Sequence, residues 1–450
     1  MKKFAVSAAL LMMVSLIHAQ TVKVEGGLLQ GIASDEVTVF KGIPYAAPPV
    51  GNLRWRAPQA VIPWDGIKVA DTFGPIAWQE AQDPKGLYGK EFYSEGLPEM
   101  NEDCLYLNVW APSGSIGDER AKLPVAMWIH GGAYSAGYGY EVTMDGTAWA
   151  KEGVILVTIN YRLGVLGFLS HPDLSKEQGG VSGNYGMMDQ IAALKWIHEN
   201  IAGFGGDPDN ITVFGQSAGA MSVKTLVASP ESKGLIAKAI IQSGGGIGEN
   251  KKIKTKSPST YDKTGKKIMK SGGFTTLAQM RAASYTEIHD AIGPAVKRAI
   301  LKNMLGKGSV VEKALVFSPH VDGKVMKERF DEAVYDGSVA DIPYMMGSVS
   351  GDGDLLGGED VDRFCAWRNA HSSHPAYSYR FERGLPGDDA GAFHSSELWY
   401  VFGTLDRCWR PFTEADYALS RKMVKAWTSF CKTGNPGWEK APHVEVLDIQ

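Results

Sequence analysis

The chain has 450 residues, 44% of them hydrophobic and 21% charged, with 46 Lys plus Arg against 50 Asp plus Glu and a formal charge of −4. That balance excludes disorder and coiled coil. With no polybasic tail at either end, it also argues against a nucleic-acid partner, which needs a clustered positive field.

The chain opens on Met1-Lys2-Lys3, an apolar run from Phe4 to Ile17, and the small residue Ala19 before Gln20. These are the charged, apolar and cleavable parts of a secretory signal over 1–19, leaving 20–450 as a single domain exported to the periplasm or beyond. The run is shorter than the roughly 20 residues that cross a bilayer, and no later stretch is long and apolar enough to do so, so no stable membrane insertion is expected. Cys104, Cys365, Cys408 and Cys431 are too few to staple a fold of this size and lack the spacing of a metal site. Their three possible pairings stay open.

Short β-rich runs at Thr21 to Val24, Val37 to Phe40 and Leu105 to Trp110, separated by Gly, Pro and Asn turns, predict an antiparallel start. Leu123 to Ile129 and Val154 to Asn160 are nearly continuous apolar runs, as in strands buried on both faces. From Asn184 to Gly203, Met187, Ile191, Leu194, Trp196 and Ile197 recur at helical spacing, with Asn184 placed to cap the helix. A strand at Ile211 to Phe214, a small-residue helix at Ser217 to Ala228 and a strand at Ala239 to Gln242 then alternate as in a doubly wound, mostly parallel α/β sheet. The Lys-rich stretch 249 to 270 reads as a solvated loop leading into a helix. Helical patterns run to about Tyr335, strands return at Ile342 to Met346 and Tyr377 to Phe381, and His443 to Ile449 suits a last edge strand.

Ile211-Thr-Val-Phe-Gly215-Gln-Ser217-Ala-Gly219-Ala220 is an apolar strand, a Gly-x-Ser-x-Gly turn and the start of a helix. A nucleophile at such an elbow sits in a strained turn where side chains two residues either side would clash. Acyl transfer also needs N–H donors for an oxyanion. His130-Gly131-Gly132-Ala133-Tyr134, directly after the strand at Leu123 to Ile129, offers those of Gly131 and Gly132, and Ala218 would add a third. The base is expected late in the chain, with His394 in Gly391-Ala-Phe-His394-Ser-Ser-Glu397 favoured over His371 and His374 in a polar, surface-like stretch. Met346-Gly-Ser-Val-Ser-Gly-Asp352-Gly-Asp354 follows a strand and supplies the acid, Asp352 competing with Asp354. Tyr134, Trp399, Tyr400 and Phe402 flank these motifs and are candidate pocket walls.

These residues carry a resemblance to the type-B carboxylesterases, extending over Phe40-Lys-Gly-Ile-Pro-Tyr45, Glu102-Asp-Cys-Leu-Tyr-Leu-Asn-Val109, Asn160-Tyr-Arg-Leu-Gly164, the stretch from Gly205-Gly-Asp-Pro to Phe214, and Gly434-Asn-Pro436. The resemblance implies an α/β-hydrolase fold with helical excursions near the site, and a serine esterase working through an acyl-enzyme with no metal or organic cofactor. Ser217, Asp352 and His394 fall at the family's catalytic positions. Two departures stand out. The acid is Asp where the family usually has Glu, and Ala77 stands where the partner of Cys104 would be, leaving that thiol unpaired. Between Trp78 and Glu102 there is no further Trp to hold a quaternary ammonium, so choline esters are not expected. The stretch from Gly353 to Ala376 looks shortened, which would admit a bulky alcohol. The implied substrates are small-molecule or saccharide-linked esters with short-chain or aromatic acyl groups, hydroxycinnamoyl (feruloyl) esters among them. A non-catalytic binding protein on the same fold is the rival class.

Overall fold

A computed structural model of the chain describes residues 20–248, 258–293 and 317–449. The predicted signal and the first part of the Lys-rich stretch lie outside the described residues. A small sheet of β1 (Thr21–Val24), β2 (Gly27–Gln30) and β5 (Ile67–Val69) stands beside the main one. The main sheet has ten strands: β3 (Ile32–Ala33), β4 (Val37–Pro44), β6 (Tyr106–Pro112), β7 (Leu123–Ile129), β8 (Ile155–Ile159), β9 (Gly206–Gln216), β10 (Lys238–Gln242), β11 (Tyr344–Val349), β12 (Ala376–Phe381) and β13 (Val444–Leu447). Their spatial order is β13-β12-β11-β10-β9-β7-β8-β6-β4-β3. From β8 to β13 every pairing is parallel, while β3, β4 and β6 join antiparallel, as the turn-rich start of the sequence predicts.

The central strands read as continuous apolar runs because both faces are covered. In β7, Val125, Met127 and Ile129 pack into one core layer and Ala126 and Trp128 into the other, the period-two alternation of a strand. The first layer takes in the helices Tyr185–Asn200 and Ala218–Ala228, and the second takes in Leu398–Phe402 and Glu414–Thr433. The loops that leave the carboxyl ends of β7, β9, β11 and β12 gather on one edge of the sheet, the usual location of sites in such folds.

One expectation fails. Asn184 makes no capping bond to the helix it precedes. Its side chain instead donates to the His320 carbonyl and to Asp322 and accepts from the His320 N–H, tying the 317–326 segment to the sheet-covering layer. A tertiary bond has taken the amide that local chemistry would use as a cap.

Arg162, just beyond β8, and Asp189 on the helix Tyr185–Asn200 form a buried fork: Nε to Oδ2 at 2.8 Å and Nη2 to Oδ1 at 2.6 Å. The Arg162 N–H adds 3.0 Å to Oδ2. Arg162→Met would leave Asp189 buried without its cation, so a loss of about 3–5 kcal/mol is expected, read as a lower urea midpoint at constant slope. A loss below about 1 kcal/mol would show that the pair is dispensable.

Candidate active site

Ser217 sits where β9 passes into the helix Ala218–Ala228, with φ 57° and ψ −123°, a conformation side chains seldom adopt. A methyl on Gly219 would stand 2.0 Å from the Ile129 carbonyl oxygen, and one on Gly215 2.7 Å from the same atom, so both flanking positions must be glycine. The turn aims Ser217 into a cavity of about 300 Å³ shared with Gly131, Gly132, Gln216 and His394. Among the described residues the N–H groups of Gly131 and Gly132 meet no backbone acceptor. That of Ala218 opens the helix and has no partner within it. These three donors are thus left for a ligand.

His394, on the loop after β12, places Nδ1 2.5 Å from Asp352 Oδ1, with the Asp352 side chain wholly buried. Asp352 Oδ2 accepts from the Val349 N–H at 2.9 Å, which fixes the carboxylate at the end of β11. Nδ1 facing a carboxylate carries the proton, leaving Nε2 as the basic nitrogen. Asp354 lies in the short helix Gly353–Leu356; the carboxylate that reaches His394 is that of Asp352. Among the described residues no hydrogen bond joins Ser217 Oγ to the imidazole. The Gln216 amide stands beside it instead, 3.2 Å from Nε2. Apo sites of this kind commonly close that bond only around substrate.

The predicted aromatic walls are corrected by the packing. Tyr134, Trp399, Tyr400 and Phe402 are buried core residues, and none lines the cavity. Tyr134 packs edge-on against Phe168, Phe402 against Trp128, and Tyr400 bonds Asp416. The rings that do face the cavity are Tyr88, Phe92 and Tyr93, on and just after the helix Leu87–Phe92. Tyr88 donates to the His394 carbonyl at 3.1 Å. The helix is hung from Glu91, fully buried, which accepts from Arg410 Nε at 3.0 Å on both oxygens and from the indoles of Trp399 and Trp409. Met144, Leu398 and Gln82 complete much of the lining, together with the carboxylate of Glu141. His371 and His374 are exposed, as expected from their polar surroundings. The four cysteines are free thiols, and Cys104 is buried without a sulfur partner.

Glu397, three residues after His394, escaped the sequence reading, although the spacing could have drawn attention to it. It is buried, with Oε1 at 3.4 Å from the Gln242 amide and Oε2 without a partner. Burial, then the nearby Asp352 carboxylate, push its carboxyl up to about 7, with His394 pulling the other way.

The carboxylesterase family model matches residues 17–364 and 361–447. Para-nitrobenzyl esterase of Bacillus subtilis (strain 168) is 35% identical over 93% of this chain and 91% of its own length. Fumonisin B1 esterase of Sphingopyxis macrogoltabida is 34% identical over 92% and 82%. The solved structure of a thermophilic PNB esterase aligns with a TM-score of 0.82 at 31% identity, covering 96% of each chain.

The raised carboxyl of Glu397 fixes a sign. The folded chain keeps a proton that the unfolded chain releases from the ordinary value of 4.5 upward, so this group costs stability as pH climbs from 4.5 to about 7 and beyond. Glu397→Gln removes that cost. The unfolding free energy of the variant relative to wild type should rise by about 2–3 kcal/mol across the window, and a flat difference would place the proton elsewhere.

Proposed function

The chain belongs to the carboxylesterase family and is a serine carboxylic-ester hydrolase, and we propose that Ser217, His394 and Asp352 run that reaction on short-chain or aromatic esters. The observation that carries the assignment is the 2.5 Å contact of His394 with buried Asp352 beside a cavity that also holds the strained Ser217. Ser217 Oγ adds to the ester carbonyl while His394 Nε2 takes its proton, and Asp352 holds the ring in the tautomer that leaves Nε2 free. The N–H groups of Gly131, Gly132 and Ala218 receive the oxyanion, each such donor being worth about 3–4 kcal/mol of barrier. His394 returns the proton to the leaving alcohol. Water, activated by the same nitrogen, then releases the acid. No step calls for a metal or organic cofactor. For the Gln216 amide, this requires that it yield Nε2 to Ser217 when substrate enters.

Cavity size supports the substrate class. At about 300 Å³ it stands at the small end of ligand pockets, suited to a compact acyl group and not to three long chains. Its apolar lining, Phe92, Tyr93, Met144 and Leu398, suits flat or short apolar groups. The para-nitrobenzyl esterase it resembles is named for an aromatic ester. Hydroxycinnamoyl esters, including those on sugars, are the narrower form of this reading. The first nineteen residues support export with removal of the signal, and among the described residues no helix is long and apolar enough to cross a membrane.

Ser217→Ala should abolish ester turnover and covalent labelling by an organophosphate while leaving the unfolding transition in place, and Asp352→Asn should lower turnover by about 10⁴. Labelling of the Ala variant, or near-normal turnover of the Asn variant, would remove that residue from the mechanism.

On the wild type, kcat/KM compared across methyl ferulate, a short alkyl ester and an emulsified long-chain triglyceride should rank the triglyceride last. Indifference between the first two would leave a general carboxylesterase.

A further inference from the structure

Glu141 lines the same cavity as Ser217 and is used by none of the steps above. It is 8% exposed. Oε1 accepts from the Tyr93 hydroxyl at 2.8 Å and from the Tyr138 N–H at 3.2 Å. Among the described residues, no hydrogen bond and no ion pair reaches Oε2. Three other buried carboxylates are matched by arginine, Glu91 by Arg410, Asp189 by Arg162 and Asp416 by Arg383, whereas Glu397 shares with Glu141 the lack of one. An ionised carboxylate without such a partner is costly to bury, and the missing complement is a positive charge.

Among the described residues, the titratable groups around it bring none. Tyr93, Tyr138 and Tyr161 are phenols whose own ionisation burial disfavours. Glu95, which acts on Tyr138, is itself acidic. His130 packs against the same glycine, Gly137, as the Glu141 carboxylate, but burial lowers its imidazole to about 4, so it is neutral at physiological pH. The same cavity is lined by the aromatic rings of Phe92 and Tyr93, the latter bonded to Glu141 through its hydroxyl, and aromatic faces attract desolvated cations.

We propose that this end of the cavity is a subsite for a protonated amine carried by the ester substrate, with Glu141 supplying the charge and Phe92 and Tyr93 the surrounding π faces. The inference deepens the esterase reading and rests on Ser217 as the nucleophile at the same cavity. The amine sits on a flexible arm of the alcohol or of the acyl group, either of which can project from the carbonyl toward Glu141. Burial pushes the Glu141 carboxyl up to about 7, against the pull of its two hydrogen bonds, so the subsite carries its charge above that pH and loses it below. An alkylamine stays protonated to about pH 10, which leaves a window in which both partners are charged.

The test uses matched pairs that differ only in the charge. Dimethylaminopropyl butyrate is set against its carbon isostere isohexyl butyrate for the alcohol arm, and methyl dimethylaminobutyrate against methyl isoheptanoate for the acyl arm. At about pH 8.5 the wild type should prefer the amine of at least one pair by about tenfold in kcat/KM, falling toward parity near pH 6. Each ratio cancels any pH dependence of the catalytic step itself, which both esters share. In Glu141→Gln, whose amide oxygen can still accept from Tyr93 and Tyr138, the ratio should fall to about one. The wild-type pH dependence carries the test even if that variant does not fold. Calorimetric binding of the same pairs to Ser217→Ala reads the subsite without turnover, so a failure of the nucleophile assignment and a failure of the subsite are separable. Equal binding and equal kcat/KM within both pairs, or a preference that survives in Glu141→Gln, would overturn the proposal.

Discussion

How closely the helix Ala218–Ala228 descends on the end of β7 governs the geometry of the active site. Gly219 and Gly215 both abut the Ile129 carbonyl, with no room for a side-chain carbon on either. That approach forces Ser217 into its positive-φ turn, at a cost of order 1–3 kcal/mol that the packed sheet must offset. Ile129 is also the last residue before His130-Gly131-Gly132. A single contact therefore sets both where Ser217 points and how far it stands from the Gly131 and Gly132 amides.

The loop after β7 is strained in its own right, with Gly132, Ala133, Tyr134 and Gly137 all at positive φ. It is held by bonds to its backbone. Gln79 donates to the Gly137 carbonyl and accepts from its N–H, Asn160 accepts from the Gly139 N–H, Tyr161 donates to the His130 carbonyl and the Gly164 N–H to that of Tyr134. Asn160, Tyr161 and Gly164 belong to the Asn-Tyr-Arg-Leu-Gly stretch, whose Arg162 is anchored by Asp189. Donors fixed in this way need little reorganisation when charge develops on the substrate, which is where electrostatic catalysis gains most.

What could be read from the sequence was whatever chemistry is local in the chain. Strand β7 was predicted to the residue, the elbow at Ser217 follows from a motif in which spacing and strain are coupled over a few residues, and His394 was favoured from its local motif, whereas the choice of Asp352 over Asp354 came from the family resemblance. Facing direction is not local. Trp399, Tyr400 and Phe402 adjoin the histidine motif in sequence, yet their helix turns them into the core, whereas Tyr88, Phe92 and Tyr93 reach the cavity from a segment some 300 residues earlier and carry no motif of their own. The roles of Glu141 and Glu397 could not be read for a related reason. Their significance lies in burial without a cation, which only the folded surroundings define. Asn184 shows the converse, a residue with strong local capping chemistry captured by a tertiary partner.

The suspension of the pocket wall from Glu91 has an evolutionary reading. The same carboxylate binds Trp399, in the helix that follows His394, and Arg410, so the wall and His394 share one foundation. Changes of backbone in the segment around residues 87–93 would be transmitted to His394, through Tyr88 as well as through Glu91. New substrate ranges are therefore most accessible by exchanging the side chains at Tyr88, Phe92 and Tyr93 over an unaltered helix. Insertions there would have to rebuild the anchorage of His394 at the same time, so lineages of this enzyme should diversify by point substitution in the wall and by length change elsewhere.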